Sequence, residues 1–416
     1  MKKIYYICLA IGFMFSSVTF VSCGSDDGKI NPENADSGGN GSGDSESGGS
    51  DSGQDSKPQK VADRDEAGNI KITAANFPDA AFRAYLYDKY GADGVLTDVE
   101  IDNVTQLDLG SKGIKSLEGI EFFPLLEKLN CYGNRLTSLD VSKNTALTKL
   151  YCEGNQLTSL DVSKNTALTE LYCSSNKLTS LDVSKNTKLT WLYCYGNQLT
   201  SLDVSGCTAL TRLWCYENQL TSLDVSGCTS LWDLSCSGNQ LTSLDVSKNT
   251  KLYSLGCSTN QLTSLDVSKN TKLTSLDCNR NQLTSLDVSK NTKLTELYCA
   301  NNQLTSLDLF GCTALTKLSC YSNQLTSLDV SKNTALANLQ CYDNQLTSLD
   351  LFGCTALTEL SCYNNQLTSL DVSKNTELKW LYCKSNQLTS LDVSKNTALT
   401  RLEYDPSVTV TGWPKY

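Results

Sequence analysis

The sequence predicts a solenoid in which short parallel β-strands, one from each repeat, form a curved sheet on a concave face. Extended segments and turns are expected on the convex side, and a small helical cap is expected at the N-terminal end. Three observations predict this architecture: a 21-residue period, an alternation of apolar and polar residues within each unit, and the lack of proline between Leu125 and Asp405.

Each unit follows the pattern L-T-x-L-x-C-x-x-N-Q-L-T-S-L-D-V-S-K-N-T-A, and the first begins at Leu126. A unit of 22 residues from Val104 precedes it, with Leu109 at the cysteine position, and a partial unit from Leu399 has Tyr404 there. The repeats therefore span residues 104–405. The cysteines of the thirteen units are Cys131, Cys152, Cys173, Cys194, Cys215, Cys236, Cys257, Cys278, Cys299, Cys320, Cys341, Cys362 and Cys383.

Strand alternation separates the positions of a unit into two faces, because successive side chains of a strand point in opposite directions. Leu150 and Cys152 are predicted to point inward, while Lys149, Tyr151 and Glu153 point outward. The asparagine three residues after each cysteine is expected to hydrogen-bond backbone groups of adjacent turns. One unit buries too little apolar surface to offset its ordering entropy, so only a stack of units is expected to fold.

The thirteen periodic cysteines have three possible roles. Metal ligands must converge on one point, whereas equivalent residues of stacked units form a line. Disulfides need Cβ atoms about 3.8 Å apart, less than the roughly 4.8 Å between neighbouring strands. Small buried thiols that fill a narrow interior are the favoured interpretation. Four further cysteines replace asparagine at the Lys-Asn turn, and pairing of the first two is left open: Cys207, Cys228, Cys312 and Cys354.

The L-x-x-L-x-C-x-x-N core is a leucine-rich repeat in which cysteine replaces one leucine. Over residues 74–405 the sequence resembles the internalins, a family of bacterial surface proteins, and within them the cysteine-ladder type. The resemblance implies a solenoid that binds a protein of a host or neighbouring cell.

The N-terminal segment has the architecture of a signal peptide: Lys2 and Lys3, an apolar stretch, and then small and polar residues. Residues 1–22 resemble a bacterial lipoprotein signal, with Cys23 as the lipidated first mature residue, although Phe20 stands where leucine is usual. Ordinary cleavage, giving a soluble secreted protein, is the alternative. Residues 23–60 are expected to be this cysteine and a disordered Gly/Ser/Asp tether spanning roughly 35 Å. The acidic run that begins the tether resembles surface-export signals, which predicts anchoring to the outer membrane and exposure to the exterior.

Residues 61–103 are predicted to form the helical cap. An apolar stripe of Phe82, Tyr85 and Leu86 indicates a helix, with Asp79 or Asn76 as its N-cap. Residues 89–100 align with a calcium-binding EF-hand loop, but lysine and glycine replace its first and third ligands, so a degenerate loop without metal is expected. Residues 406–416 are expected to be a C-terminal tail.

Function is expected at outward-facing strand positions on the concave face, because the other repeat positions specify the scaffold. Aromatic residues concentrate there in two clusters, interspersed with charge, as is typical of protein interfaces. Aromatic rings also suit sugar binding, and exposed strands favour aromatics in any case. The first cluster is Tyr151, Tyr172, Trp191, Tyr193, Tyr195, Arg212, Trp214 and Tyr216. The second cluster is Tyr298, Tyr321, Tyr342, Tyr363, Trp380 and Tyr382.

Composition narrows the possible functions. The net charge of −10 argues against a nucleic-acid partner, and a chain without histidine lacks the usual general base and the commonest metal ligand. We expect no enzyme activity, no cofactor and no metal, and a monomer attached to the membrane only through its lipid. The predicted function is adhesion to an extracellular or host-cell protein. A glycan-binding lipoprotein for nutrient capture and a passive spacer are the alternatives.

Overall fold

The computed structural model of the chain describes residues 62–414, which belong to a compact unit that spans Lys60–Tyr416. The predicted signal segment, the predicted lipidation site Cys23 and the predicted tether up to residue 60 lie outside the described residues. Among the residues that are described, no helix is long and apolar enough to span a bilayer.

The cap consists of two short strands and two helices. Strand β1 (Ile70–Lys71) pairs antiparallel with β2 (Val95–Leu96), on either side of helix α1 (Ala80–Lys89), and helix α2 (Asp98–Asp102) follows. Asp79 caps α1 by accepting hydrogen bonds from two backbone amides, as one of the two sequence alternatives predicted. The short β1–β2 sheet was not anticipated, because strands of two residues leave almost no periodic signal.

The predicted EF-hand-like loop ends in a capping box. The Thr97 side chain accepts a hydrogen bond from the Glu100 backbone amide, and the Glu100 carboxylate accepts one from the Thr97 amide at 2.8 Å. Glu100 aligns with the bidentate calcium ligand of an EF-hand, so in this chain that side chain stabilises the start of α2.

The repeats form one parallel sheet of fifteen strands, as the period predicts. Each strand pairs in register with the strand one unit away, so equivalent residues are neighbours. Strands of three residues are long enough to form this sheet because every unit supplies the same short segment in the same register. The strands are β3 (Gln106–Asp108), β4 (Lys128–Asn130), β5 (Lys149–Tyr151), β6 (Glu170–Tyr172), β7 (Trp191–Tyr193), β8 (Arg212–Trp214), β9 (Asp233–Ser235), β10 (Ser254–Gly256), β11 (Ser275–Asp277), β12 (Glu296–Tyr298), β13 (Lys317–Ser319), β14 (Asn338–Gln340), β15 (Glu359–Ser361), β16 (Trp380–Tyr382) and β18 (Arg401–Glu403).

The interior of the stack is built from columns of identical side chains. Leu150 and Cys152 are fully buried, whereas Lys149 and Tyr151 on the same strand are partly exposed, as the alternation predicts. Leucine and valine of the second half of each unit also point inward, so the core is continuous from the cap to the last unit. Apart from β17 (Ser390–Asp392), that second half contains turns rather than named strands in the described part of the chain.

An asparagine column secures the bend that follows each strand. The Nδ2 of Asn239 donates to the carbonyl oxygens of Cys215 and Cys236 at 3.1 and 3.0 Å, and its Oδ1 accepts from the Leu220 amide at 2.9 Å. One buried side chain thus satisfies backbone groups of two neighbouring units, as the sequence predicts.

A second asparagine column lies at the opposite bend, within the Lys-Asn turn. Asn249 is fully buried, and its Nδ2 donates to the carbonyls of Val225 and Cys228 at 2.9 Å each. Cysteine replaces asparagine four times in this column, and the Sγ of Cys228 lies 3.4 Å from the carbonyl oxygen of Val204. Cys207 and Cys228 are both free thiols in the structure.

The segment expected to be a C-terminal tail completes the solenoid instead. Strand β19 (Thr409–Thr411) pairs in parallel with β17, and the Val393 amide donates to the Thr411 carbonyl at 2.9 Å. Val408 is buried. This strand forms because the last unit would otherwise leave backbone amides and apolar side chains without a covering layer.

Candidate ligand-binding surface on the concave face

Outward-facing side chains of the sheet form three columns, because the strands pair in register. Column A holds the first residue of each strand, column B the third, and column C the residue two positions further on. In the unit of β5 these residues are Lys149, Tyr151 and Glu153. Residues exactly one unit apart in sequence therefore stand side by side on the surface.

The first cluster contains a continuous aromatic stack in column B, here called the first ridge: Tyr151, Tyr172, Tyr193 and Trp214. Its ring centroids are 4.5, 4.4 and 4.4 Å apart, and its rings lie within 18° of parallel. Beside it in column C, Tyr195 and Tyr216 stack at 4.3 Å. Offset stacking of this kind stabilises aromatic pairs beyond simple burial.

The six residues of the second cluster are divided among the three outward columns. Tyr321, Tyr342 and Tyr363 stack in column C at 4.3 Å between successive centroids, and we call them the second ridge. Tyr298 and Tyr382 lie in column B and Trp380 lies in column A, so these three do not join the stack. Tyr298 and Tyr321 lie in different columns because they are 23 residues apart rather than 21.

Trp380 and Tyr382 remain on the surface at the C-terminal end of the sheet. The Trp380 side chain is 47% exposed, and the guanidinium of Arg401 lies 5.1 Å from the Tyr382 ring centroid. They form a separate aromatic patch rather than an extension of the second ridge.

Arg212 is held between two tryptophans beside the first ridge. Its guanidinium carbon lies 5.2 Å from the Trp191 ring and 4.3 Å from the Trp232 ring, a stacking arrangement that suits a planar cation. Asp233 lies 3.8 Å from its Nε and accepts a hydrogen bond from Trp214 Nε1 at 3.1 Å. Burial raises the pKa of Asp233 despite these two neighbours.

Glu170 anchors the other end of the first ridge. Its carboxylate pairs with Lys149 Nζ at 2.7 Å and accepts a hydrogen bond from the Tyr151 hydroxyl. Burial alone would raise the pKa of Glu170, but the hydrogen bonds from Lys149 and Tyr151 outweigh burial and lower it. These contacts hold this end of the ridge in place.

Stacking leaves few ring faces of the first ridge accessible. Interior rings have a neighbour on both faces, and the free face of Tyr151 is covered by the Lys128 ammonium, 5.4 Å from the ring centroid. The ridge consequently presents hydroxyl groups and ring edges to a ligand rather than flat aromatic platforms.

Three aromatic residues of this face were missed at the sequence level, and one of them is Tyr132 in column C of the β4 unit. Trp232 and Tyr253 immediately precede β9 and β10, at a position where most units have threonine, and their rings meet edge to face at 6.2 Å. The substitution of a common threonine was the available signal. The signal is weak because this position precedes the strand and lies outside its alternating pattern.

Comparisons with known proteins agree with this architecture. A family model described as leucine-rich repeats in two copies matches residues 145–186, 187–227, 271–310, 292–333 and 334–375. The functional domain of InlJ from Listeria monocytogenes, described as including a cysteine ladder, is 40% identical with a TM-score of 0.79, over 83% of this chain and 77% of that one. The chain belongs to the internalin family, in its cysteine-ladder type.

Two other solved structures are similar to this internalin. The internalin InlF of Listeria monocytogenes is 25% identical with a TM-score of 0.65, over 84% of this chain and 99% of that one. A leucine-rich-repeat protein of Leptospira interrogans is 26% identical with a TM-score of 0.65, over 75% and 92%. A comparison with curated proteins finds no match.

Proposed function

We propose that this internalin is an exported surface protein that binds a protein partner through the concave face of its repeats. The observation that carries the proposal is the first ridge. The same column is occupied elsewhere by Ser235, Gly256 and Asp277, so the scaffold does not require aromatics there. Tyrosine, tryptophan and arginine side chains that are already held in place are typical hot spots of protein interfaces.

The geometry favours a protein over a glycan as the ligand. Sugar binding by aromatics uses an open ring face, whereas most faces of the first ridge are occupied by neighbouring rings. Hydroxyl groups, ring edges and the clamped Arg212 suit the mixed polar and apolar contacts of a protein interface. Fifteen strands give a sheet roughly 70 Å long, which is large enough for a folded partner. Binding rather than catalysis is also typical of solenoid repeats.

The location of the partner follows from the expected export. Residues 1–22 would direct the chain out of the cytoplasm, Cys23 would carry the lipid, and the tether would hold the repeats of a monomer away from the outer membrane. The partner is then an extracellular or host-cell protein. Metabolic labelling with a fatty acid tests the anchor: the wild-type chain should be labelled and Cys23→Ala should not. An unlabelled, freely secreted wild-type chain would show ordinary cleavage instead.

A panel of purified extracellular proteins and glycans tests the proposed function. The variant Y172A/Y193A/W214A removes three rings of the first ridge, and F310A/F352A removes two exposed phenylalanines from the turn side, away from the sheet. We expect the wild-type chain to bind a protein, the turn-side variant to bind equally, and the ridge variant to lose more than about thirtyfold in affinity, since loss of one hot-spot side chain costs about 2 kcal/mol or more.

Each alternative has its own result in this experiment. Binding of glycans that is lost in the ridge variant would favour nutrient capture. Wild-type binding to nothing on the panel would favour a passive spacer. Thermal unfolding of every variant shows whether the fold is retained, because the ridge lies outside the buried core.

A further inference from the structure

The two ridges are separated by a part of the sheet whose outward side chains are small. It comprises strands β9 to β11 and the column C residues that follow them, and we call it the trough. Six of its nine outward positions are serine or glycine. The nine residues are Asp233, Ser235, Ser237, Ser254, Gly256, Ser258, Ser275, Asp277 and Asn279.

Aromatic side chains bound the trough on both sides. Trp214 and Tyr216 of the β8 unit stand on one side, and Tyr298 and Tyr321 of the next two aromatic units stand on the other. Four strand spacings separate Trp214 from Tyr298, which leaves about 15 Å between the walls once the thickness of the rings is subtracted. An α-helix with its side chains is about 10–12 Å wide, so a single helix fits between the walls.

Gly256 at the centre of the trough is not required by the scaffold. Its φ angle is not positive. A Cβ there would have the Oγ atoms of Ser235 and Ser237 as its nearest neighbours, each at 3.4 Å, which is an ordinary contact distance. Glycine weakens a strand interior and often marks a place where another backbone approaches closely. Its presence therefore points to a ligand that lies directly on the sheet.

An aromatic lip closes one end of the trough. Trp232 and Tyr253 replace the usual threonine in the two units that begin the trough, and Tyr253 is 51% exposed. The small floor and the aromatic lip thus occur in the same units. An exposed tyrosine beside a recessed floor is a suitable anchor for a protein ligand.

Asp277 gives the floor a negative charge. Its carboxylate accepts a hydrogen bond from the Asn279 amide at 3.1 Å, and it belongs to none of the ion pairs found among residues 62–414. A partly buried carboxylate that has only hydrogen bonds is complementary to a lysine or arginine of a ligand.

We propose that the trough receives one α-helix of the protein partner, with small residues against Gly256 and a basic side chain on Asp277. The proposal rests on the proposed function and specifies its contact surface. The width of the trough argues for a helix, Gly256 for close approach, and Asp277 for the charge of the residue that faces it.

Displayed libraries test this proposal without knowledge of the natural partner. One library randomises an exposed helix of a three-helix scaffold, and a second randomises a two-stranded hairpin. Both libraries are selected for binding to the full chain. Selected clones are then measured on G256Y, which fills the trough, on D277N, which removes the charge, and on Q340Y, a matched control in the same column outside the trough.

We expect helical clones with a basic residue between small ones. Their affinity should fall at least about tenfold on G256Y and on D277N and stay unchanged on Q340Y. Thermal unfolding of G256Y should be no lower than that of the wild-type chain, so lost binding cannot be attributed to misfolding. Helical clones that bind G256Y as well as the wild-type chain, enrichment of hairpins alone, or enrichment of nothing would overturn the proposal. If the natural partner needs the first ridge but binds G256Y normally, the trough proposal fails and the proposed function stands.

Discussion

Asparagine occupies two columns of this solenoid, and the side chains of the two columns satisfy different groups. At the bend after the strand both the amide and the carbonyl of Asn239 are hydrogen-bonded. At the opposite bend the Oδ1 of Asn249 is buried and accepts no hydrogen bond from the described residues. This difference explains why cysteine, whose thiol is a weak donor and a poor acceptor, is found in the second column alone.

Replacement of Asn239 by alanine should be strongly destabilising. It leaves the buried amide of Leu220 without its acceptor, at about 1–3 kcal/mol. It also removes one of the two donors to each of the Cys215 and Cys236 carbonyls, which keep their bonds from Asn218 and Asn260, at about 0.5–1.5 kcal/mol for each lost bond. We expect a loss of roughly 2–6 kcal/mol in urea unfolding. The neighbouring exposed Gln240→Ala serves as the control and should change stability by less than about 0.5 kcal/mol. Equal effects of the two substitutions would show that the asparagine column is not a structural requirement.

The turn cysteines carry a second constraint that the sequence alone did not show. Glycine precedes all four, and at Gly227, Gly311 and Gly353 a Cβ would lie 2.3, 2.7 and 2.4 Å from a carbonyl oxygen of the preceding turn. At these three positions the close approach of the two turns excludes a side chain, whereas at Gly206 the nearest atom would be 3.6 Å away. The pairing of glycine with cysteine is visible in the sequence, but its cause at the three tight positions is a distance between units that only the structure gives.

At the scale of elements, the cysteine column is a line of buried neutral thiols. Its thirteen cysteines are free and buried, as are the four turn cysteines. Burial raises the thiol pKa throughout, for example to about 12 at Cys236 and Cys341. Thiol–disulfide exchange and metal binding by these cysteines are therefore suppressed at neutral pH, since the thiolate is the reactive form.

Stability should consequently fall steeply in alkali. A thiol whose pKa is raised in the folded chain contributes stability that is complete below the unfolded value of about 9 and is lost as the pH rises toward 12. In that range the free energy of unfolding falls by about 1.4 kcal/mol per pH unit for each such thiol. Urea midpoints measured with reductant at pH 8, 9 and 10 should be level at first and then drop sharply. A midpoint that stays level through pH 10 would contradict the buried, protonated column.

Elements differed in how far the sequence could predict them. The fifteen-stranded sheet and helix α1 follow from periodicity and capping residues, so they were predicted correctly. The β17–β19 pair was not, because Thr409–Thr411 lies outside the repeat and only the open end of the stack makes that strand favourable. The stacking of the first ridge follows from its 21-residue spacing, whereas Tyr298 and Tyr321 are 23 residues apart and therefore lie in different columns of the same face.

At the scale of the whole molecule, scaffold and recognition occupy different residues. Buried leucine, cysteine and asparagine columns repeat almost unchanged and hold the solenoid together. The residues that vary from unit to unit lie outward on the sheet, where two ridges and the trough between them give one face a distinct shape. We propose that a protein partner is bound by this face.

Hydroxyl-radical footprinting of the full chain, with and without the protein partner recovered from the panel, tests that claim most directly. Oxidation of Tyr172, Tyr193 and Trp214 should fall by at least about half on binding, because interface aromatics lose solvent contact. Phe310 and Phe352 on the turn side should be oxidised equally in both samples. Protection of the two phenylalanines with unchanged oxidation of the ridge would contradict the account.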